Sequence, residues 1–285
     1  MKKILAVSGG IDSVVMLHFF RNDPDVVVAH FDHGIRPSSH ADAEFVESLA
    51  KHYEKPFFVE HAKLGADCSE ESARSARYTF LTALARELDG KIYTAHHADD
   101  LIESVAINNL RGTGWRGLAA LNNPKLERPL LSWRKVDIYR YATENQLHFR
   151  LDQTNSDDKY LRNRVREQLL QASEDSKRKL LELAERQRAI AREIGIILAE
   201  LPSDNYPRTL MNYEEIVAME ILRTILSRHQ ITQTRPQLLR AIAAIRDYGP
   251  GKKFPLGKDV YIKIGRYNFQ IESVKLPSPL KYGRI

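Results

Sequence analysis

Four short apolar runs, each followed by a helical pattern, fill the first half of this 285-residue chain. They are Lys3–Val7 (KILAV), Val26–Phe31 (VVVAHF), Pro56–Glu60 (PFFVE) and Lys91–Ala95 (KIYTA). Each is too short for a core helix and too continuously apolar for a strand with one wet face, so each reads as a strand buried on both sides. Helical spacing follows in Ile11–Phe20, residues 40–54, Glu70–Leu88 and Asp99–Leu110, and Ser132 is placed to cap a helix reaching about Gln146. Strands alternating with helices specify a parallel sheet covered on both faces, and right-handed crossovers make it doubly wound.

The pattern changes after about residue 170. Leu180, Leu183, Ile190, Ile194 and Ile197 mark one long amphipathic helix that stops near Pro202. Asn212–Arg228 reads as a second helix, with Asn212 and Glu215 at capping-box spacing. A third starts at Thr234, with Pro236 in its first turn and Gln237 three residues on. Val260, Ile262, Ile264 and then Tyr267, Phe269, Ile271 alternate about Gly265-Arg266, which signals a hairpin. The expected division is a catalytic domain over 1–172, a connecting helix over 173–201, and a smaller, mainly helical domain over 202–285 ending in the hairpin.

Charge follows the same division. Residues 1–170 carry 23 Lys and Arg against 24 Asp and Glu, whereas residues 171–285 carry 20 against 13. A basic half beside a neutral one suits a polyanionic partner, nucleic acid first, although solvated helix faces also collect Lys and Arg. The single cysteine, Cys68, excludes a disulfide framework, a multi-cysteine zinc site and a cysteine-ligated iron–sulfur cluster. No apolar run reaches the ~18 residues of a membrane span. The Met1-Lys2-Lys3 start resembles neither a signal nor a transit peptide. The expected setting is cytoplasmic, with no membrane partner, and a homodimer is left open.

Ser8-Gly9-Gly10-Ile11-Asp12-Ser13 lies between the first strand and its helix. Glycines let backbone N–H groups turn toward an anion, Ser8 and Ser13 add hydroxyls, and the helix N-terminus adds positive potential. The loop is therefore a phosphate cradle. Asp12 would repel a phosphate unless it holds a divalent cation or caps its own backbone. A Walker A motif is absent, and Gly112–Gly117, which matches GxGxxG, follows a helix and reads as a loop rather than a dinucleotide site.

Two more polar clusters end strands: His30–Arg36 (HFDHGIR) and Ala95–Asp100 (AHHADD). Ligands of open α/β sheets lie off the carboxyl ends of strands, so these clusters are expected around the same crevice as the cradle. The spacing of their histidines fits no standard zinc set. Asp100 and Glu103, three apart on one helix face, either favour the helix dipole or await a cation, metal or ammonium. Arg74 and Arg77 either reach phosphate or pair with Glu71. Arg162, Arg164 and Arg166 suit phosphate recognition or a solvated face.

These motifs, in this order, resemble the tRNA(Ile)-lysidine synthetase family among the N-type ATP pyrophosphatases, or PP-loop proteins, in a short form. The resemblance rests on SGGIDS (Ser8–Ser13), HFDHGIR, ESARSARY (Glu71–Tyr78), AHHADD with Glu103, LRGTGWRGL (Leu110–Leu118), RPLL (Arg128–Leu131) and DQTNSDDKYLRNRVR (Asp152–Arg166). It spans residues 3–170, whereas 175–285 match loosely, chiefly through Phe254–Ile271. Leu101 and Ser104 depart from the family's usual Gln and Thr, and Trp115 from an aliphatic residue; none of these changes removes a charge.

The resemblance implies an adenine nucleotide α-hydrolase-like fold and a two-step reaction with ATP as substrate and Mg2+ as cofactor. ATP adenylates C2 of the wobble cytidine in the CAU-anticodon tRNA(Ile), releasing pyrophosphate; the free L-lysine amine then displaces AMP. It implies ATP binding by Ser8, Gly9, Gly10, Ile11, Asp12 and Ser13, with Asp12 holding metal. Asp12, Asp32, His33 and Arg36 are expected around the reacting groups, Asp100 and Glu103 at lysine, and Arg74, Arg77, Arg111, Arg162 and Arg164 at tRNA or phosphate. Another PP-loop enzyme that modifies tRNA or forms amides with release of AMP is the alternative. The lone Cys68 disfavours the thiolating relatives that need several cysteines, and an amide-forming synthetase would leave the basic half without a role.

Overall fold

A computed structural model describes residues 1–34, 39–62, 65, 68–150, 161–257 and 259–273. Arg36 and most of the Asp152–Arg166 motif fall outside them, and of Arg162 only the backbone is described. The chain divides into two compact units, Met1–Ala191 and Arg192–Ile285.

In the first unit the strands are β1 (Lys2–Ala6), β2 (Val26–Asp32), β3 (Phe57–His61), β4 (Gly90–Tyr93) and the short β5 (Leu126–Glu127). They form one sheet in the order β3-β2-β1-β4-β5, parallel throughout. Four of the strands match the apolar runs; β5, two residues long, carried no such signal. The alternation of side chains across β1 sets the layers. Leu5 faces a core with Val15 and Leu17 of α1 (Ile11–Phe19), Val46 of α2 (Ser39–His52) and Ile138 of α6 (Lys135–Glu144). Ile4, its neighbour, faces Leu81 and Leu84 of α3 (Glu70–Glu87) on the other side. Both are fully buried, as a doubly wound sheet requires. A third cluster joins Leu101 and Val105 of α4 (Ala98–Leu110) to Ala120 and to Ala184 of α8 (Glu174–Ala199). Between these lie α5 (Gly114–Leu118) and α7 (Leu161–Gln171).

The GxGxxG stretch, read as a loop, forms the single turn α5, entered through Gly112 and Gly114 at φ +63° and +67°. The helix expected from Ser132 begins instead after Arg134, whose N–H is bonded by Asp137 Oδ2 at 3.1 Å. The strand order reverses between β1 and β4, so the crevice of this topology opens between their carboxyl ends.

The second unit packs α9 (Glu215–Arg228) and α10 (Arg235–Asp247) on a four-stranded antiparallel sheet. Its order is β6-β9-β8-β7, from β6 (Tyr206–Pro207), β7 (Lys253–Gly257), β8 (Val260–Ile264) and β9 (Asn268–Ser273). The expected hairpin is β8–β9, and it gains a strand on each edge. Thr234 and Gln237 cap α10 as their spacing indicated, with Thr234 N–H on Gln237 Oε1 at 2.8 Å. Asn212 does not cap α9: it ends a short 3-10 helix, and Glu214 precedes the first turn. Part of the basic excess is spent inside this unit. Arg208 donates to the carbonyls of Ile245, Arg246, Tyr248 and Gly265, and Arg228 to those of Leu198, Ala199, Leu201 and Pro202.

Candidate active site

Ser8–Ser13 turns directly from β1 into α1. Gly9 stands at φ +88°, a conformation that costs an L side chain energy. Ser13 Oγ accepts the Ser8 N–H at 3.1 Å, lies 3.2 Å from Ser8 Oγ and donates to Gly10 O at 2.9 Å. The two hydroxyls thus brace the turn from within. Gly10 supplies no side-chain cap to α1. The first N–H groups of that helix, which every α-helix leaves unsatisfied, are groups that an anion could accept from.

Asp12 enters a network that sequence reasoning caught only in part. Its Oδ1 lies 2.5 Å from Lys135 Nζ, at the first residue of α6. His97, buried before the first turn of α4, places Nε2 3.8 Å from Asp12 Oδ1 and 3.6 Å from Asp100 Oδ2. The cradle and the AHHADD cluster therefore meet across the β1/β4 crevice. Asp100 Oδ2 also accepts the His97 N–H at 2.9 Å, so it caps its own helix while facing the imidazole. Asp99 accepts Arg134 Nε at 3.0 Å and the Lys135 N–H at 2.7 Å, locking the start of α6 to the start of α4. Burial would raise the pKa of Asp99, but these hydrogen bonds from Arg134 and Lys135 overcome it and hold the carboxyl below its ordinary range. Lys135 and Arg134 stood outside every motif and gave no sequence signal.

Glu103 is one turn further along α4 and nearly buried, with 8% of its surface exposed. Its Oε2 accepts Arg166 Nε of α7 at 2.7 Å. The carboxylate is thus paired with a guanidinium from α7, a partner its spacing on α4 did not indicate.

On the other side of β4 a group of arginines gathers. Arg74 and Arg77 of α3 lie over the Tyr78 ring, 5.1 and 5.5 Å from its centroid. Arg128, from the RPLL motif, is partly buried and electrostatically coupled to Arg74 and Arg188. His96 feels the same charges. Burial first, then Arg128, Arg74 and Arg77, lower its pKa to about 4 against the opposing pull of Asp100. Its Nδ1 lies 2.9 Å from Thr94 Oγ1. Tyr78 Oη, Arg128 Nε and His97 Nδ1 are buried without a hydrogen-bond partner among the described residues. Orphaned buried polar atoms are uncommon and call for a partner such as water, an ion or a polar ligand. Arg128 as a site residue was missed; its burial, invisible in sequence, is what singles it out.

The HFDHGIR cluster divides. His30 Nδ1 lies 2.8 Å from Val7 O, tying β2 to the end of β1, and burial keeps the imidazole's pKa low. Asp32 Oδ1 accepts the Gly34 N–H at 2.9 Å, and Oδ2 lies 3.0 Å from His61 Nδ1 on β3. The His33 ring packs edge-on against Phe31 at 4.8 Å. Direct contacts to Asp12 thus come from the starts of α4 and α6, whereas Asp32 meets His61 on β3. Arg111 is exposed where α4 ends, and Arg164 is exposed on α7.

The family described as PP-loop domain matches residues 1–173. The chain belongs to the PP-loop family. The tRNA(Ile)-lysidine synthase of Thermotoga sp. (strain RQ2) is 39% identical over 182 residues, 59% of this chain and 44% of that protein. The tRNA(Ile)-lysidine synthase of Thermosipho africanus (strain TCF52B) is 35% identical over 59% of this chain and 42% of its own length. This PP-loop chain therefore spans less than half the length of the curated relatives it matches. Among solved structures, the U34-tRNA thiolase NcsA from Methanococcus maripaludis superposes with a TM-score of 0.56 at 19% identity, covering 66% of this chain and 72% of that one. That likeness concerns the fold. No helix among the described residues is long and apolar enough to cross a membrane.

Proposed function

We propose that this PP-loop protein is a cytoplasmic ligase that joins lysine to C2 of the wobble cytidine in the CAU-anticodon tRNA(Ile). ATP activates the C2 oxygen as an adenylate and pyrophosphate leaves. The ε-amine of lysine then attacks C2, the C2–oxygen bond breaks and AMP departs with that oxygen. The observation that carries this reading is the meeting of two opposite binding chemistries in one crevice. An uncapped helix N-terminus for phosphate lies beside Asp12, which meets Asp100 across His97, and Glu103 follows one turn along the same helix as Asp100; these carboxylates suit an ammonium.

In this reading the Ser8–Ser13 turn holds the ATP phosphates. Asp12, the carboxylate inside the turn, fits Mg2+, which takes one or two carboxylates and draws its remaining ligands from phosphate and water. Mg2+ when bound offsets charge on the departing pyrophosphate. Asp100 and Glu103 hold the lysine ammonium, with Arg166 occupying the Glu103 carboxylate in its absence. Arg74, Arg77 and Arg128 receive phosphate of ATP or tRNA. Arg111 and Arg164, both exposed, reach the tRNA backbone, and Asp32 and His33 line the adjoining strand end.

The test is incubation with Mg2+, labelled ATP and lysine, with and without unmodified CAU-anticodon tRNA(Ile), following AMP and lysine incorporation. Lysine transfer confined to that tRNA supports the proposal. AMP release without lysine transfer assigns the chain to another AMP-producing reaction of the PP-loop family. No AMP under any condition rejects catalysis.

A further inference from the structure

We propose that Asp32, His40 and His61 form a binding site for a divalent first-row transition ion of the zinc type, apart from the magnesium that accompanies ATP. The inference rests on side-chain geometry alone and stands or falls independently of the proposed reaction. The three residues come from three elements: Asp32 ends β2, His61 ends β3, and His40 lies in the first turn of α2. Parallel pairing sets Asp32 directly opposite His61. One ligand atom from each of the three lies within 4.8 Å of the others.

The pairwise geometry is near what a metal needs. Ligands 2.0–2.1 Å from a tetrahedral zinc stand about 3.3 Å apart. Asp32 Oδ2 and His61 Nδ1 are 3.0 Å apart already, and the two imidazole centroids are 6.1 Å apart. Only His40 has to swing inward. Its Nε2 sits 3.6 Å from Glu44 Oε1, too far for a hydrogen bond to restrain it.

The surroundings resemble a supported metal ligand set. Asp32 is buried, and its other oxygen is fixed by the Gly34 N–H at 2.9 Å, the outer-shell bond that orients ligating carboxylates. The imidazoles are exposed and leave a path for the ion to enter. Two imidazoles and one carboxylate favour zinc, cobalt or nickel over magnesium or calcium, which prefer oxygen ligands throughout. Sequence spacing gave no hint, because residues 32, 40 and 61 are gathered by sheet pairing and a helix start.

The experiment is titration of the metal-stripped full chain with Zn2+ in excess Mg2+, read by competition with a chromogenic chelator. Wild type, His40→Gln and His61→Gln are compared. The expected result is one zinc per chain, unaffected by Mg2+, and at least tenfold weaker binding in each variant. Co2+ in place of Zn2+ should give a visible absorption band in the wild type that both variants lose. His40→Gln lies at an exposed helix start, so it keeps the test alive if His61→Gln misfolds. Equal zinc affinity in wild type and His40→Gln, displacement by Mg2+, or less than one zinc per chain overturns the proposal.

Discussion

His96 offers a prediction whose sign and size both follow from its surroundings. Burial and the neighbouring Arg128, Arg74 and Arg77 keep its imidazole neutral down to about pH 4 in the folded chain. Unfolded, it titrates near the ordinary value of about 6.5. Between those values the unfolded chain takes up a proton that the folded chain refuses, so folding stability rises with pH through this window and falls as pH drops. The loss amounts to about 2 kcal/mol at pH 5 and approaches about 3 kcal/mol below pH 4. His96→Asn removes the titration and retains a polar group near Thr94 Oγ1. Urea unfolding, followed by fluorescence of Trp115 and Trp133 in the first unit, is measured at about pH 7.5 and pH 5. The wild type should lose about 2 kcal/mol more than the variant between the two. The double difference cancels carboxylates and His30, which titrate in both proteins. Equal losses would refute the reasoning. An anion held among the same arginines would weaken their repulsion of a charged imidazole, so ATP should narrow the gap.

Gly9→Ala forces a side chain into φ +88° with its Cβ 3.3 Å from Phe45 Cδ1, whereas at Gly10 the added Cβ meets Ser8 Oγ at an ordinary 3.6 Å. The first should cost about 1–2 kcal/mol and most ATP binding, the second much less stability; matching melting curves would contradict this. Asp100→Asn combined with Glu103→Gln should raise the lysine requirement far more than the ATP requirement, and steady-state kinetics with equal effects on both would reject the ammonium site. Lys135→Gln removes the ammonium that Mg2+ would displace from Asp12 and release toward phosphate, and should weaken ATP binding about tenfold, measured by calorimetry. Thr234→Ala removes the hydroxyl that donates to Gln237 Oε1 at 2.7 Å and so steadies the cap of α10; it should destabilise that helix by about 0.5–1 kcal/mol, seen as faster amide exchange there.

Of the strands of the first unit, β2 was the most legible because six of its seven residues are buried, which leaves a continuous apolar run, whereas edge strand β3 was read from Phe57, Phe58 and Val59, which are only partly buried. The cradle was legible because its chemistry is local: Gly9, Ser8 and Ser13 make their bonds within six residues. β5 was not, since two residues carry no period. The true start of α6 was hidden as well. Ser132 has the right side chain for a cap, but the cap bond comes from Asp137 to the Arg134 N–H, and Arg134 and Lys135 are positioned by Asp99, 35 residues away in sequence.

That last contact also explains why the site could be named only in part. Asp12, Asp99, Asp100 and Glu103 are acids within motifs, and acids in first helical turns are ordinary. What distinguishes them is the basic side chain each meets: Lys135 at Asp12, Arg134 at Asp99, His97 at Asp100 and Arg166 at Glu103. Only His97 comes from the same motif as its partner. The others arrive from α6 and α7, brought in by the fold. A crevice proposed to bind an anionic nucleotide beside a cationic amine must not collapse onto either of its own charges. Here each of these four carboxylates is met by a basic side chain, three of them from another element, so an incoming ammonium or metal would replace a contact rather than fill an unbalanced hole. Substrate binding on this plan is an exchange of ion pairs. It should therefore weaken with salt less steeply than contact between exposed arginines and a tRNA backbone, where each neutralised phosphate releases counterions.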